Sequence, residues 1–124
     1  MTQRFTDPIV CQISNDGKKY TLTHGFTYYR KNDKAAIIIV PEGYSTDGFT
    51  NGGLNFVVQK FGKGLKCAIL HDYLCDEFKK GNRTRKFADE VFLEAMLETK
   101  AFWKIKAYFL YYCVRTFAIL AGMK

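Results

Sequence analysis

The stretch LKCAILHDYLCDEFKKGNRTRKFADEVFLEAMLETK, residues 65–100, decides the class of this fold. Apolar residues recur at helical spacing on both sides of Gly81, a residue type that commonly follows the end of a helix. Asn82 or Thr84 is placed to cap the second helix. The second helix has its apolar positions at Phe87, Ala88, Val91, Phe92, Ala95 and Met96. Because the connection is short, we expect the two helices to run antiparallel and to contact each other.

The residues before this helix pair predict strands. Short runs over residues 8–14, 20–30 and 35–40 are apolar or rich in Thr and Tyr, and the turn sequences NDGKK and KNDK separate them. Residues 41–53, PEGYSTDGFTNGG, hold four glycines and predict a long loop. A short helix is expected over residues 55–62. Strands followed by helices indicate the α+β class.

An apolar helix is expected over residues 102–121. The complete prediction is a single α+β domain, residues 1–124. In it, a small antiparallel sheet from the N-terminal half packs on the antiparallel helix pair, with the C-terminal apolar helix added.

Composition and charge narrow the classes of partner. Hydrophobic residues make up 48% of the 124 residues, which indicates a packed globule. The net charge of +7 favours anionic lipid headgroups, nucleic acid or an acidic protein. The basic residues are scattered and form no block of five, so nucleic acid is not favoured. A basic surface that is simply solvated stays an equal alternative.

The N-terminus and the cysteines indicate a reducing compartment. The first ten residues, MTQRFTDPIV, lack the basic and apolar segments of a signal peptide. Cys67 and Cys75 would lie about 12 Å apart along one helix, beyond the reach of a disulfide. We therefore predict free thiols and a cytoplasmic location. Because the sequence has no C-x-x-C pair, a structural zinc site is not expected.

Charged residues divide the C-terminal segment into apolar runs that are too short to span a membrane. Its uncharged run between Lys106 and Arg115 has eight residues, far fewer than a bilayer requires. We expect an apolar helix buried against the sheet. The alternative is peripheral membrane contact, because Trp103, Lys104 and Lys106 suit a headgroup zone.

The stretch LHDYLCDEF, residues 70–78, carries the candidate chemistry. Neighbouring residues on a helix point about 100° apart, so His71 and Asp72 must serve different partners. Asp89, beside the apolar stripe of the second helix, is placed to contact His71 across the pair. His24, the other histidine, lies in a strand-like run where it could face either side, and it is expected to be a surface or strand residue rather than a catalytic one.

Asp47 and its loop predict a cation site. Calcium favours carboxylate and carbonyl oxygens in an irregular loop, which Asp47 and the backbone of Gly48 supply. Asp72 would add a carboxylate. In this scheme His71 is a general base, Asp89 fixes its tautomer, and the cation polarises a carbonyl. The open alternative is a hydrogen-bonded core histidine with acids that form surface ion pairs.

The chain resembles a family of short, largely uncharacterised bacteriophage and prophage proteins. The matching stretches, from about Phe26 to the C-terminus, are FTYYR, VPEGYSTDG, LHDYLC and FADEVFLEAM. It departs from the family pattern at Thr50 and Gly52, and Cys75 replaces a tyrosine. The resemblance implies a protein of an infected bacterial cell, or of the virion. As an alternative to catalysis, it suggests a non-catalytic accessory protein that binds a host or phage protein.

A shorter resemblance, over about fifty residues, is to the small calcium-dependent phospholipase A₂ enzymes. It rests on STDG, the His-Asp pair and the later Asp-x-x-Phe. It implies His71 as base, Asp89 as its orienting carboxylate, and Asp47 and Asp72 as calcium ligands. The substrate implied is a lipid or another ester. Those enzymes are secreted and disulfide-bonded, unlike what is expected of this chain.

Overall fold

The computed structural model describes residues 10–16, 19–30, 37–46, 63–100 and 103–123, with 63–65 described by their backbone. The chain divides into two compact units, residues 1–48 and 49–124. The single domain expected over residues 1–124 stays a prediction. The predicted helix over residues 55–62 lies outside the described residues.

Five short strands make two antiparallel sheets in the N-terminal unit. The strands are β1 (Cys11–Ile13), β2 (Tyr20–Leu22), β3 (Phe26–Tyr29), β4 (Ile37–Val40) and β5 (Ser45–Thr46). One sheet has the order β1-β2-β5 and the other pairs β3 with β4. In register, Gln12 faces Thr21 and Phe26 faces Val40. This confirms the antiparallel strands expected from the N-terminal half.

Two boundaries differ from the sequence expectation. The run over residues 20–30 forms two strands in separate sheets, because the extended backbone is interrupted near Gly25. A Cβ atom at Gly25 would lie 2.7 Å from the carbonyl oxygen of Val40, so only glycine permits this close approach. The predicted loop begins with a turn at Gly43, whose φ is +86°. After that turn the chain forms β5, which pairs with β2. Residues 47–53 of the predicted loop lie outside the described residues.

Alternation along the strands separates a buried face from an exposed one. In β2 and β3 the buried side chains are Tyr20, Leu22, Phe26 and Tyr28, and in β4 they are Ile38 and Val40. Ile39 points the other way and is 63% exposed. His24 is exposed between β2 and β3, as the sequence predicts.

Three helices form the C-terminal unit: α1 (Lys63–Lys79), α2 (Arg85–Thr99) and α3 (Lys104–Leu120). Gly81 has φ +83° and donates its N–H to the carbonyl of Phe78, while Asn82 donates to Glu77. This pair of bonds is the Schellman end of α1. The hydroxyl of Thr84 accepts the N–H of Phe87 at 3.0 Å and caps α2. Both predicted helix ends are confirmed.

Helix α2 lies between α1 and α3 and packs on both. Helix α3 contacts it through four buried residues, Ala107, Leu110, Val114 and Ala118. The opposite side of α3 is exposed. The sequence predicted burial of this helix against the sheet, whereas the side that is buried packs on α2. Within the described part of the chain, no helix is long and apolar enough to cross a membrane.

Candidate functional site

His71 and Asp89 meet across the α1–α2 interface. The Nε2 atom of His71 lies 2.7 Å from Oδ1 of Asp89, a short hydrogen bond between side chains eighteen residues apart. Their residues are 3% and 0% exposed. The helix spacing places His71 on the buried side of α1 and Asp89 on the buried side of α2, and the short connection brings them together. The predicted contact is therefore present.

Two arginines bind the same carboxylate. Arg85, one turn before Asp89 on α2, donates from Nε to Oδ1 at 3.0 Å. Arg115, on α3, donates from Nη1 to Oδ2 at 2.9 Å. Asp89 thus accepts hydrogen bonds from side chains of all three helices. We call His71, Arg85, Asp89 and Arg115 the Asp89 cluster.

The environment of Asp89 favours its ionised form. Burial raises the pKa of the Asp89 carboxyl, but the hydrogen bonds and charges of His71 and Arg85 outweigh burial and hold this pKa below its usual value. A carboxylate is accordingly present at neutral pH. Removing its charge would leave one buried and one partly buried guanidinium group, those of Arg85 and Arg115, without their counter-ion.

The same contacts act on His71 in the opposite direction. Burial lowers the pKa of the His71 imidazole, but the charge of the Cys75 sulfur when ionised, together with the hydrogen bond and charge of Asp89, raises it to about 9. The imidazole is therefore protonated at neutral pH and becomes a base only in alkaline solution.

Cys75 and Phe92 surround the imidazole ring. Cys75 lies one turn after His71 on α1, with its sulfur 3.7 Å from Nε2 and 3.9 Å from Nδ1. Nearly equal distances place the sulfur beside the ring rather than along the lone pair of Nδ1, which is not the alignment of a nucleophile with its base. The ring of Phe92 packs on the imidazole of His71, with the two ring centroids 4.7 Å apart. Together they fix the orientation of the imidazole.

The predicted metal ligands are only partly described. Asp72 lies on α1, half-buried, and follows His71 by one position, so it points to another side of the helix. Asp47 and Gly48 lie outside the described residues. Among the residues that the structure describes, no group of three or more His, Cys, Asp or Glu side chains is placed to hold a metal ion.

Three members of this environment, Arg85, Cys75 and Arg115, were not predicted from the sequence. Arg85 and Cys75 each lie four residues from a predicted site residue on the same helix, so helical spacing alone was a usable signal for both. Arg115 had no such local signal, because its contact depends on which face of α3 packs on α2. All four cysteines are free thiols, as predicted.

Comparison with known proteins places the chain in a family. No curated protein and no solved structure matches it. A family model does match, over residues 20–114. These residues include His71, Arg85 and Asp89 and end one position before Arg115. The expectation of an uncharacterised family is confirmed: the chain belongs to the family described as protein of unknown function (DUF1353).

Proposed function

We propose that this protein is a hydrolase of esters in which His71 is the general base and Asp89 its orienting carboxylate. The observation that carries the proposal is the 2.7 Å hydrogen bond between His71 Nε2 and Asp89 Oδ1. A carboxylate on one ring nitrogen fixes the tautomer and stabilises the imidazolium that forms during proton transfer. The resemblance to phospholipase A₂ assigns these two residues the same roles.

In the proposed mechanism, Nδ1 of His71 is the atom that takes the proton. Because Nε2 donates to Asp89, Nδ1 is the nitrogen that removes a proton from water. The oxygen of that water attacks the ester carbonyl, and collapse of the tetrahedral intermediate gives a carboxylic acid and an alcohol. The proton held on His71 passes to the departing alcohol oxygen. Arg85 keeps Asp89 ionised and in place throughout, since it binds the same oxygen as His71.

The raised pKa of His71 sets the pH at which this base would operate. Below about pH 9 the imidazole is mostly protonated and cannot accept a proton. We therefore expect kcat/KM for an ester to increase with pH up to about 9, and to level off above it.

The test compares wild type with His71→Gln on soluble p-nitrophenyl esters and on phospholipid vesicles. Glutamine still donates a hydrogen bond to Asp89 but is not a base at any of these pH values, so the variant should fold and lose activity by at least a hundredfold. His24→Gln, at the exposed histidine, is the matched control and should retain full activity. Equal rates for wild type and His71→Gln on every substrate would refute the catalytic role.

A divalent cation, calcium by resemblance, is the cofactor we propose. Among the described residues, Asp72 is its proposed ligand, and when bound the cation would polarise the ester carbonyl. Calcium titration by calorimetry tests this directly. We expect wild type to bind calcium and Asp72→Asn not to bind it. Calcium binding of equal strength by both proteins would exclude Asp72 as a ligand.

A second candidate function is binding without catalysis. The observation that favours it is the set of two arginines on Asp89, which makes the Asp89 cluster a means of holding three helices together. In this case the protein would be a phage accessory protein, active in the cytoplasm of the infected cell or in the virion, that binds a host or phage protein. A stoichiometric complex that survives His71→Gln, with no hydrolysis by wild type, favours this candidate.

A further inference from the structure

Helix α3 carries an exposed apolar surface on the side that faces away from α2. We call this surface the outer face of α3. It consists of Ile105, Phe109, Tyr112, Ile119 and Leu120. Ile105 is 85% exposed and Leu120 is 83% exposed, and the other three are more than half exposed. Side chains of this size are normally removed from water, so the outer face requires an explanation.

The helical spacing shows that α3 is apolar on two opposite sides. At about 100° per residue, the four residues packed on α2 fall within an arc of about 80°, and the outer face occupies the opposite arc of about 100°. Thr116 is the polar residue within that outer arc. A helix that is apolar all round is buried in a core or in lipid. One side of α3 is buried in this way, because it packs on α2.

The charges near this face suit an anionic surface. From Lys100 to Lys124 the sequence has five Lys or Arg residues and no Asp or Glu. Lys104 and Lys106 lie in the first turn of α3 and are exposed, on either flank of the outer face. The acidic residues of this unit occur on α1 and α2 instead. Lysines beside an apolar face extend their ammonium groups to lipid phosphates while their stems lie in the interface.

Trp103 immediately precedes α3 and is 86% exposed. Indole and phenol rings concentrate at the headgroup level of bilayers, because each combines an apolar body with a polar edge. Trp103 and Tyr112 therefore fit that level better than they fit water. The seventeen residues of α3 give a helix about 25 Å long, which lies along a surface rather than across it.

We propose that the outer face of α3 binds the surface of an anionic lipid bilayer, with the helix parallel to the membrane plane. The apolar side chains enter the boundary between headgroups and acyl chains, and Lys104 and Lys106 pair with lipid phosphates. The absence of acidic residues from this segment selects an anionic bilayer over a basic protein partner. The proposal does not depend on the hydrolase proposal, because it uses none of the residues of the Asp89 cluster.

The chain contains one tryptophan, which makes Trp103 a direct reporter of this binding. Titration with vesicles of phosphatidylglycerol and phosphatidylcholine should shift its emission to shorter wavelength and protect it from acrylamide. Vesicles of phosphatidylcholine alone should have a much smaller effect, since they lack the negative charge. Co-sedimentation with the same vesicles measures the partition coefficient independently of fluorescence.

Two pairs of substitutions separate the apolar and the electrostatic contributions. Ile105→Ser with Phe109→Ser should lower the partition coefficient at least about tenfold, because two exposed apolar side chains are lost without altering the core. Lys104→Glu with Lys106→Glu should remove the preference for anionic lipid. Ile39→Ser, at an exposed isoleucine of β4 outside the outer face, is the control and should bind as wild type does.

Three outcomes would overturn the proposal. One is no emission shift with anionic vesicles. Another is a wild-type dimer in light scattering that Ile105→Ser with Phe109→Ser dissociates, without vesicle binding, which would assign the outer face to a second copy. The third is equal vesicle binding by wild type and both pairs of variants, which would place the membrane contact elsewhere. None of these results involves hydrolysis, so failure here is distinct from failure of the catalytic proposal.

Discussion

Arg115 of α3 and Asp89 of α2 are joined by a 2.9 Å hydrogen bond from Nη1 to Oδ2, whereas His71 bonds to the other carboxylate oxygen, Oδ1. Asp89 therefore divides its two oxygens between two tasks. Oδ1 receives His71 and Arg85, and Oδ2 receives the arginine that fastens α3 to α2. A single carboxylate connects the candidate catalytic histidine to the packing of the whole helical unit.

Asp89→Asn should lower the free energy of unfolding by about 3–5 kcal/mol. The amide leaves two largely buried guanidinium groups and a protonated imidazole facing a neutral side chain. Urea unfolding followed by helical circular dichroism measures the loss. Glu90→Gln is the control, because Glu90 is next in sequence but pairs with Lys86 only at 3.9 Å and is partly exposed. That change should cost less than about 1 kcal/mol. Similar losses for both variants would refute the role of the Asp89 cluster in stability.

Arg115→Met should destabilise the protein by about 2 kcal/mol, less than Asp89→Asn, because Arg85 and His71 still bind the carboxylate. Methionine keeps an apolar stem of similar length beside α2, so the loss measures the charged bond rather than packing. In a double-mutant cycle with Asp89→Asn, the two effects should be clearly less than additive. Strict additivity would show that the two residues do not act together.

The difference between His71 and Arg115 explains how much of this site the sequence could predict. The contact of His71 with Asp89 followed from two helices, a short turn and helical spacing, all of which are local signals. The α+β class and both helix ends near Gly81 and Thr84 followed in the same way. Arg115 lies on a helix with apolar residues on both sides, so periodicity did not identify the side that packs on α2. Tertiary contact, rather than local pattern, made that choice.

The division of residues 20–30 into the strands β2 and β3 has a different cause. Residues 20–30 are rich in strand-forming Thr, Tyr and Phe, and the single Gly25 among them was not interpreted as a boundary between two strands. The separation arises because the backbone of Gly25 lies against that of Val40. The β5 strand was not predicted, because residues 41–53 contain turn-forming glycines. A two-residue strand is also too short for the alternation of its side chains to be recognised.

Gly25→Ala tests that explanation. The added Cβ atom would lie 2.7 Å from the oxygen of Val40 and 3.1 Å from the nitrogen of Glu42, and both neighbours are backbone atoms that cannot turn aside. We expect a loss of stability of about 1–3 kcal/mol. NMR signals of β3 and β4 during urea unfolding measure it. Gln12→Ala, at an exposed position of β1, should change those signals little. Wild-type stability of Gly25→Ala would mean that the close approach is not needed.

The pKa shifts of the His71–Asp89 pair predict how stability depends on pH. The folded-state pKa of His71, about 9, is above its ordinary value of 6.5. Its contribution to stability is therefore complete below pH 6.5 and is lost as the pH rises from about 6.5 to 9. The pKa of Asp89 is lowered from 3.8, so its contribution is present above pH 3.8 and is lost as the pH falls through the folded value. Urea unfolding across both ranges measures the two losses.

Two variants assign the alkaline loss to His71. His71→Gln should remove the decline between pH 6.5 and 9, since glutamine does not titrate, while the acid decline remains. Cys75→Ala should move the decline to lower pH, because the charge of the Cys75 sulfur helps to raise the pKa of His71. NMR titration of the His71 ring supplies the direct measurement. If the His71 ring titrates at or below its ordinary pKa of 6.5, the proton is not held by Asp89 as proposed. The alkaline rise expected for ester hydrolysis would then have to move to lower pH with it.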